Sequence, residues 1–272
     1  MSNFNIGCLP YEVNGLLLLK SPLLLEKNIK HGFTTRKGGI SPGKRSGLNL
    51  SFSRYDDPSE PISNLKLLCE AEKLDMKDIV LVNHEHGNTI FTVEASHRGR
   101  GITGEPLPPC DGLITRERGI TLMTLHSDCC GYLMYDPKTK SIGAAHAGWR
   151  GTKKRIGCNM IDAMKERFGA EPQNILVAVL PSICGACYEV DEALAESFLL
   201  EFKDERVMKP KNSGKAYLDI EYACALQLLE SGVLPENIQL MHRCTMEETE
   251  LFYSYRRDGL DAGAMAAYIT LS

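Results

Sequence analysis

The segment with the clearest potential for chemistry is AAHAGWRGT, residues 144–152. It places His146 among alanines and glycines, whose small side chains leave room around the imidazole that a close-packed core normally fills. A second segment, HSDCCG at residues 126–131, supplies the thiol of Cys129. Imidazole and thiolate groups bind transition metals and carry nucleophilic catalysis. The two segments therefore predict either a metal site or a catalytic cysteine–histidine pair, the alternative being a buried cysteine packed beside a structural histidine.

The residues between these segments predict a β-hairpin that brings Cys129 and His146 together. Asp136 and Pro137 suit the first two positions of a type I turn. If the turn is centred between residues 137 and 138, Cys129 lies opposite His146, with Cβ atoms about 4.5–5.5 Å apart. A register shift of two residues keeps the two side chains neighbours, whereas a shift of one residue separates them.

A third metal ligand is available in NHEHG, residues 83–87, which contains His84 and His86. Catalytic zinc sites use three protein ligands and keep one position open, and two histidines with one cysteine are an acceptable set. Copper binds nitrogen and sulfur ligands more tightly than zinc does, so Cu²⁺ is a second candidate ion. The residues alone do not distinguish His84 from His86. A metal-free hydrolase, with Cys129 as nucleophile and His146 as base, is the main alternative and leaves His86 unexplained.

Two further motifs carry weaker signals. Arg150 lies just before Lys153–Phe168, a segment with apolar residues at helical spacing, and the glycines around it predict an anion site at a helix N-terminus. Cys184-Gly185-Ala186-Cys187 forms a C-x-x-C motif, which alone is a weak indication of redox function. The motif continues into YEVDEAL rather than into a clear helix, so a redox role is disfavoured.

Composition narrows the class of protein. The chain has 272 residues, of which 43% are hydrophobic and 24% charged, as in ordinary globular proteins. Its net charge of −4 argues against nucleic acid or a membrane surface as a partner. Lys20 and Pro22 divide the leucine-rich N-terminal stretch into two runs, which we interpret as two short strands around a turn and not as a membrane span or signal peptide. Ten cysteines in a chain of this length favour a reducing, cytoplasmic location.

The pattern of secondary structure predicts mixed β-sheets flanked by helices, an α/β (α+β) fold, in a single catalytic domain over residues 1–272. A second helix is predicted over Ile220–Ser231, where an apolar stripe ends at Gly232. Strand pairs outnumber strand–helix alternations, which argues against a doubly wound parallel sheet. Short β-rich segments recur at 89–93, 120–125, 132–135, 141–145 and 175–179.

From about residue 30 to the end, the sequence resembles the YfiH/YlmD laccase-domain proteins, now regarded as purine nucleoside phosphorylases, and is closest to the YlmD branch. The resemblance rests on motifs that occur in order along the chain. They are HGFTTRKGGIS (31–41) with LNL (48–50), NHEHG (83–87), DGLIT (111–115), HSDCCGYLMYDP (126–137), IGAAHAGWRGT (142–152), SICGACYEV (182–190) and FYSYRRDG (252–259). The implied fold is similar to that of a deamidating toxin that uses a cysteine–histidine pair.

The resemblance implies a zinc ion held by His86, Cys129 and His146, which favours His86 over His84. His126 stands where the family usually has a small residue, and it either approaches the metal or lines the pocket. Asp128 matches a family aspartate, which we expect to act in catalysis by orienting a ligand histidine.

The implied activities are phosphorolysis of adenosine, inosine and methylthioadenosine, together with deamination of adenosine. The expected partners are therefore purine nucleosides and inorganic phosphate. We expect Arg36 and Arg150 to contact phosphate and Asn49 and Arg256 to contact the ribose or base, the alternative for each being a structural role. The family's older name suggests a copper-dependent polyphenol oxidoreductase (laccase), but only seven histidines are too few for a multicopper centre.

Overall fold

The computed structural model describes residues 4–52 and 59–271. Within these ranges the chain forms three β-sheets and seven α-helices. The helices are α1 (Pro22–Leu25), α2 (Ser59–Glu72), α3 (Trp149–Lys153), α4 (Ile156–Phe168), α5 (Glu192–Phe202), α6 (Ile220–Glu230) and α7 (Tyr255–Asp258). The strands are β1 (Asn5–Ile6), β2 (Leu9–Val13), β3 (Leu16–Lys20), β4 (Lys30–Thr34), β5 (Ile79–Leu81), β6 (Ile90–Thr92), β7 (Gly112–Thr115), β8 (Thr121–His126), β9 (Cys130–Asp136), β10 (Ser141–Ala147), β11 (Leu176–Val179), β12 (Glu189–Asp191), β13 (Met208–Lys211), β14 (Lys215–Leu218), β15 (Ile238–Leu240) and β16 (Met265–Thr270).

Two large mixed sheets face each other and enclose the main core. One has the strand order β2-β3-β4-β16-β8-β5 and the other β1-β15-β11-β9-β10-β7-β6. Side chains from both sheets, such as Phe33 and Leu133, pack in one buried cluster between them. Helix α2 covers the outer face of the six-stranded sheet, and α4 and α6 cover that of the seven-stranded sheet. The predicted class of mixed sheets flanked by helices is confirmed.

The predicted strands are also present, as β6, β8, β9, β10 and β11. Strand β10 is buried along its whole length. Ile142 and Ala144 face the other large sheet, whereas Ala145 and Ala147 face the helices. Burial on both faces explains why this strand reads as a continuous run of small and apolar residues.

The helix predicted over Lys153–Phe168 is interrupted, and the interruption has a clear partner. Arg155, between α3 and α4, adopts a left-handed conformation with φ +65°. The buried side chain of Gln227 donates to the carbonyl of Thr152 (2.6 Å) and accepts from the N–H of Gly157 (2.8 Å). These bonds satisfy backbone groups that a continuous helix would pair internally. The prediction for residues 220–231 is confirmed by α6.

The interpretation of the N-terminal leucine runs as two strands is wrong for the second run. The first run forms β3, which pairs with β2 around Asn14-Gly15, both with positive φ. Pro22 instead begins α1 and buries Leu24, because proline is favoured at the first helical position. In the described residues no helix combines the length and apolar character required to cross a lipid bilayer.

We expect His31 on β4 to make the stability of this sheet pH-dependent. Its Nε2 accepts from the N–H of Ser21, and its Nδ1 donates to the carbonyl of Ile29, both at 2.8 Å. Burial lowers the pKa of His31 to about 4, because the charged ring is poorly solvated there. The ring is therefore neutral at pH 7, and protonation would break the bond from Ser21.

We expect the stability that His31 contributes to be complete above pH 6.5 and to fall as the pH drops towards 4, because its folded pKa lies below the unfolded value of about 6.5. A shift of this size corresponds to a loss of roughly 2–3 kcal/mol by pH 4.5. Urea unfolding of the wild type and of His31→Gln, whose side-chain oxygen accepts from Ser21 at any pH, should show a stability difference that shrinks on acidification. A difference that is constant from pH 7.5 to 4.5 would contradict this assignment.

Candidate metal centre and active site

The site lies where the chain passes from one large sheet to the other. Strand β8 of the six-stranded sheet ends at His126, and β9 of the seven-stranded sheet begins at Cys130. Cys129 lies in the short connection, and His146 lies near the end of β10, the neighbour of β9. The connection also contains Asp128, whose φ of +81° turns the chain sharply between the two sheets.

The predicted hairpin is present, but its register differs from the prediction by two residues. His146 pairs with Gly131, not with Cys129. The reason is the turn, which extends over residues 137–140 and places Lys140 at φ +55° instead of closing around residues 137 and 138. Because a shift of two residues preserves the faces of a strand, Cys129 and His146 remain neighbours.

Three donor side chains converge at this point. Ligand atoms of His86, Cys129 and His146 all lie within 4.8 Å of one another. Gly148 covers the space between them: a Cβ atom added there would lie 3.2 Å from Cys129 Sγ and 3.4 Å from atoms of both His86 and His146. A glycine thus keeps open a small hollow bounded by one sulfur and two imidazoles.

Asp111 holds this cluster in place. The carboxylate is fully buried and accepts from His146 Nδ1 (2.9 Å) through one oxygen. Its other oxygen accepts from the N–H groups of Gly87 (2.6 Å) and Glu85 (3.2 Å), which flank His86. Burial lowers the pKa of His146 well below its usual value, so the ring is neutral. The proton therefore lies on Nδ1, and Nε2 is the donor atom that remains for a metal.

Sequence reasoning missed Asp111 and assigned its role to Asp128. Among the residues that the structure describes, no histidine donates a hydrogen bond to Asp128; its carboxylate accepts from Thr245 Oγ1 (2.6 Å), Ser254 Oγ (3.0 Å) and the N–H of Arg256 (2.6 Å). The positive φ of Asp128 directs its carboxylate towards these C-terminal segments and away from the ligands. Its expected role as the orienting residue is therefore wrong. Two features of the sequence could have indicated Asp111: it begins the DGLIT motif (111–115), and it directly precedes the buried strand β7, which pairs with β10.

The two additional histidines occupy different environments. His126 bonds Thr124 Oγ1 (2.8 Å) and the carbonyl of Cys129 (3.1 Å), so both ring nitrogens are engaged. The ring centroid of His84 lies 4.4 Å from that of His146. Within the described residues its buried Nε2 has no hydrogen-bond partner. Burial and the neighbouring histidines lower the pKa of His84 well below its usual value.

Two adjoining cavities lie beside the donors: one of about 300 Å³ is lined by His86 and Cys129, and one of about 570 Å³ by all three. His86, Cys129 and Arg150 line both. The smaller cavity has an apolar and aromatic wall that includes Trp149 and Tyr188. The larger one includes His84 and the ring of His146. A flat aromatic molecule fits the first environment, and polar groups fit the second.

Of the four residues expected to bind substrate, two reach the cavities. The guanidinium of Arg150 lies 4.3 Å from the centre of the Trp149 ring and is exposed. Arg256 lines the smaller cavity, where Nη1 donates to the carbonyl of Glu189 (2.6 Å). Arg150 does not precede the long helix as predicted, since it lies within the five-residue α3 and the long helix begins at Ile156.

Arg36 and Asn49, the other two residues expected to bind substrate, lie outside both cavities and are hydrogen-bonded to the backbone. The Arg36 guanidinium lies over the Tyr253 ring and donates to three backbone carbonyls, including those of Ser46 (3.3 Å) and Thr249 (3.2 Å). The buried Asn49 Oδ1 accepts from the N–H groups of Ser51 (3.1 Å) and Ala264 (2.9 Å). Neither residue lines either cavity.

Comparison with known proteins places this site in a family. Residues 30–272 match the family model described as multi-copper polyphenol oxidoreductase laccase. The chain belongs to this laccase-domain family. It is 32% identical to purine nucleoside phosphorylase YlmD of Bacillus subtilis, over 89% of this chain and 88% of that protein. It is 37% identical to a purine nucleoside phosphorylase of Deinococcus radiodurans, over 94% of each chain.

A solved structure shares the fold as well. The crystal structure of YlmD from Geobacillus stearothermophilus superimposes with a TM-score of 0.90 at 32% sequence identity, covering 96% of this chain and 97% of the other. The laccase-domain fold thus extends over nearly the whole chain, and the predicted family resemblance is confirmed.

Proposed function

We propose that this laccase-domain protein is a zinc-dependent purine nucleoside phosphorylase. Its substrates would be adenosine, inosine and methylthioadenosine, cleaved by inorganic phosphate to the free base and ribose 1-phosphate or methylthioribose 1-phosphate. Adenosine deamination would be a second activity. The names of the relatives support the reaction class. The observation that carries the proposal is the hollow among His86, Cys129 and His146, with the two cavities that open onto it.

The three donors fit a zinc ion. Two imidazoles and one thiolate form a known type of catalytic zinc set, and Gly148 leaves the space between them free. When bound, zinc supplies positive charge that stabilises negative charge on a reacting group. Two histidines and a cysteine also occur in blue-copper sites, so Cu²⁺ is the second candidate ion.

The residues around the hollow would bind and orient the reactants. In phosphorolysis an oxygen of phosphate forms a bond to the anomeric carbon, while the bond to the purine nitrogen breaks and the electron pair leaves with the base. Arg150, exposed at the junction of both cavities, would hold the phosphate. The aromatic rings of Trp149 and Tyr188 would hold the purine, with Arg256 beside Tyr188. Asp111 keeps the His146 proton on Nδ1 throughout.

A metal-free cysteine hydrolase is the second candidate, and one observation favours it. Asp111, His146 and Cys129 follow one another in space, as in a nucleophile–base–carboxylate triad. This alternative assigns no role to His86, although His86 lies within 4.8 Å of the other two donors. Activity that survives complete removal of metal by chelation would favour the hydrolase.

The reaction can be tested directly. We expect the purified protein, incubated with adenosine and phosphate, to release adenine and ribose 1-phosphate, with inosine as the product of deamination. Adenine release should require phosphate. Cys129→Ser should lose at least 100-fold in kcat/KM, because it removes the anionic ligand of the zinc site. Cys158→Ser, which changes a partly buried cysteine on α4 outside the site, is the matched control. No conversion of any purine nucleoside would refute the proposal.

A further inference from the structure

A second cluster of metal-binding side chains lies outside the site described above. It consists of Cys184, Cys187, Cys244 and Glu247, whose ligand atoms all lie within 4.8 Å of one another. The two halves of the cluster share one sequence spacing, C-x-x-C at 184–187 and C-x-x-E at 244–247. Paired C-x-x-C motifs are typical of structural zinc sites. Here a glutamate, whose carboxylate can also bind zinc, takes the place of the fourth cysteine.

The backbone presents each motif on a tight turn. The N–H of Cys187 donates to the carbonyl of Cys184 (2.9 Å), and the N–H of Glu248 donates to that of Cys244 (3.1 Å). A parallel bridge between Ser182 and Cys244 holds the turns side by side. The four side chains therefore converge because of backbone pairing, not because of a chance surface encounter.

The spacing of the ligand atoms suits a tetrahedral ion. All four lie within 4.8 Å of one another, and Cys187 Sγ lies 3.3 Å from Glu247 Oε1. Ligand atoms at the tetrahedral zinc–sulfur distance of about 2.3 Å are about 3.8 Å apart. The N–H of Cys184 is directed at Cys244 Sγ (3.4 Å), a contact that stabilises a thiolate. Only small shifts of these side chains are needed to surround an ion.

The charges of the cluster favour a bound cation. Three thiolates and one carboxylate would carry four negative charges, of which a divalent ion neutralises two. The two nearest arginines do not replace that ion, because Arg243 is paired with Glu248 and Arg257 with Asp258. Arg257 Nη1 also donates to the carbonyls of Thr245 (3.3 Å) and Met246 (3.1 Å), which supports the second turn.

We propose that Cys184, Cys187, Cys244 and Glu247 bind a second zinc ion, with a structural role. Four protein ligands fill the tetrahedral coordination and leave no position for substrate. Thiolate ligands select zinc over harder cations such as Mg²⁺. The inference concerns metal binding alone and does not rest on the proposed nucleoside reaction.

The role of this ion would be to brace the wall of the active site. Ile183 and Tyr188, which flank the C-x-x-C motif, line the smaller cavity. Thr245, next to Cys244, donates to Asp128 at the turn between the large sheets (2.6 Å). A metal that joins the two turns therefore fixes both the cavity wall and the segment that carries Cys129.

The C-x-x-C motif at 184–187 has a different structural setting from that of a dithiol redox site. Reactive C-x-x-C cysteines lie at helix N-termini, where the helix dipole lowers the thiol pKa. Here the motif is followed by the short strand β12, and a third cysteine and a glutamate face it. This supports metal binding over the redox role considered from the sequence.

Metal content of the reduced, full-length protein tests the inference. We expect two zinc ions per chain in the wild type and one in each of Cys187→Ser and Cys129→Ser, since each variant loses a different site. In Cys129→Ser, cobalt bound at the remaining site should give the absorption bands of thiolate charge transfer and of tetrahedral d–d transitions. Adding Cys187→Ser to this variant should abolish both kinds of band. Circular dichroism of each variant should be measured to check that it is folded.

If Cys187→Ser does not fold, a substitution at an exposed ligand can still test metal binding by this cluster. Glu247 is exposed, so Glu247→Gln should fold and should release one zinc ion to a chelator at least 10-fold faster than the wild type. Glu250→Gln, at an exposed carboxylate on the same segment, is the control and should leave release unchanged. A Cys187→Ser variant that keeps as much zinc as the wild type, or a Cys184–Cys187 disulfide in the purified protein before reduction, would overturn the inference. Either result leaves the nucleoside reaction to be judged by its own assay.

Discussion

Replacing Asp111 by Asn should reduce kcat/KM for the proposed phosphorolysis of adenosine by about 100-fold and weaken metal binding by His86, Cys129 and His146 by 10- to 100-fold. An amide has one oxygen and one NH₂ group, whereas both oxygens of Asp111 accept hydrogen bonds. If the NH₂ group faces His146, the ring proton moves to Nε2, and the metal donor is lost. If it faces Gly87, two N–H groups oppose each other and the loop that carries His86 is displaced.

The measurements for Asp111→Asn are metal content, by mass spectrometry, and steady-state kinetics. Asp136→Asn is the matched control, because Asp136 is also fully buried and accepts from the N–H of Lys138 (2.8 Å) and from Thr139 Oγ1 (2.8 Å) at the far end of the hairpin. It should keep metal and activity within a factor of two or three. Equal losses in the two variants would show a general effect on the hairpin, and Asp111 would then have no specific role.

The second large effect is expected from Gly148→Ala. The added methyl group would lie 3.2 Å from Cys129 Sγ and 3.4 Å from His86 Nδ1, in the hollow between the donors. Displacing reacting groups by about 1 Å costs on the order of 100-fold in rate, and we expect a loss of 10- to 100-fold in kcat/KM. Folding should change little, because the φ of −69° at Gly148 suits alanine.

Gly104→Ala provides the comparison for Gly148→Ala. An added Cβ at Gly104 would meet only the carbonyl oxygen of Gly99, at 3.8 Å, so the substitution is sterically neutral. Metal content, kcat/KM and the midpoint of thermal unfolding should be measured for both variants. Full metal content and wild-type kinetics in Gly148→Ala would show that the hollow is not the reaction centre.

The sequence predicts the strands and the convergence of donors because both depend on local patterns. Alternating faces of β9 and β10 place Cys129 and His146 on one side even though the predicted register is two residues off. The position of the turn is less predictable, because it depends on whether Lys140 adopts a positive φ. The break at Arg155 also lies outside sequence reasoning, since its hydrogen-bond partner, Gln227, is remote in the chain.

The roles of polar side chains are harder to predict than the elements that carry them. Asp111 and Asp128 both occur in motifs of the laccase-domain family, yet only the fold shows which one contacts a histidine. An arginine such as Arg36 can bind phosphate, but here its guanidinium donates hydrogen bonds to the carbonyls of Ser46 and Thr249. Such choices depend on long-range contacts, which residue spacing does not encode.

The hydrogen-bond partners of Asp111 and those of Asp128 are synthesised at different times during translation of the chain. Asp111 joins its partners across 24 and 35 residues, whereas Asp128 joins Thr245, Ser254 and Arg256 across 117, 126 and 128. A nascent chain that has just passed residue 150 already contains every donor of the first metal cluster and its anchor. Tyr188, the second cluster and the partners of Asp128 leave the ribosome later, at about 5–20 residues per second. The donors for the first ion, with Trp149 and Arg150, thus precede Tyr188 and the second cluster by several seconds of translation.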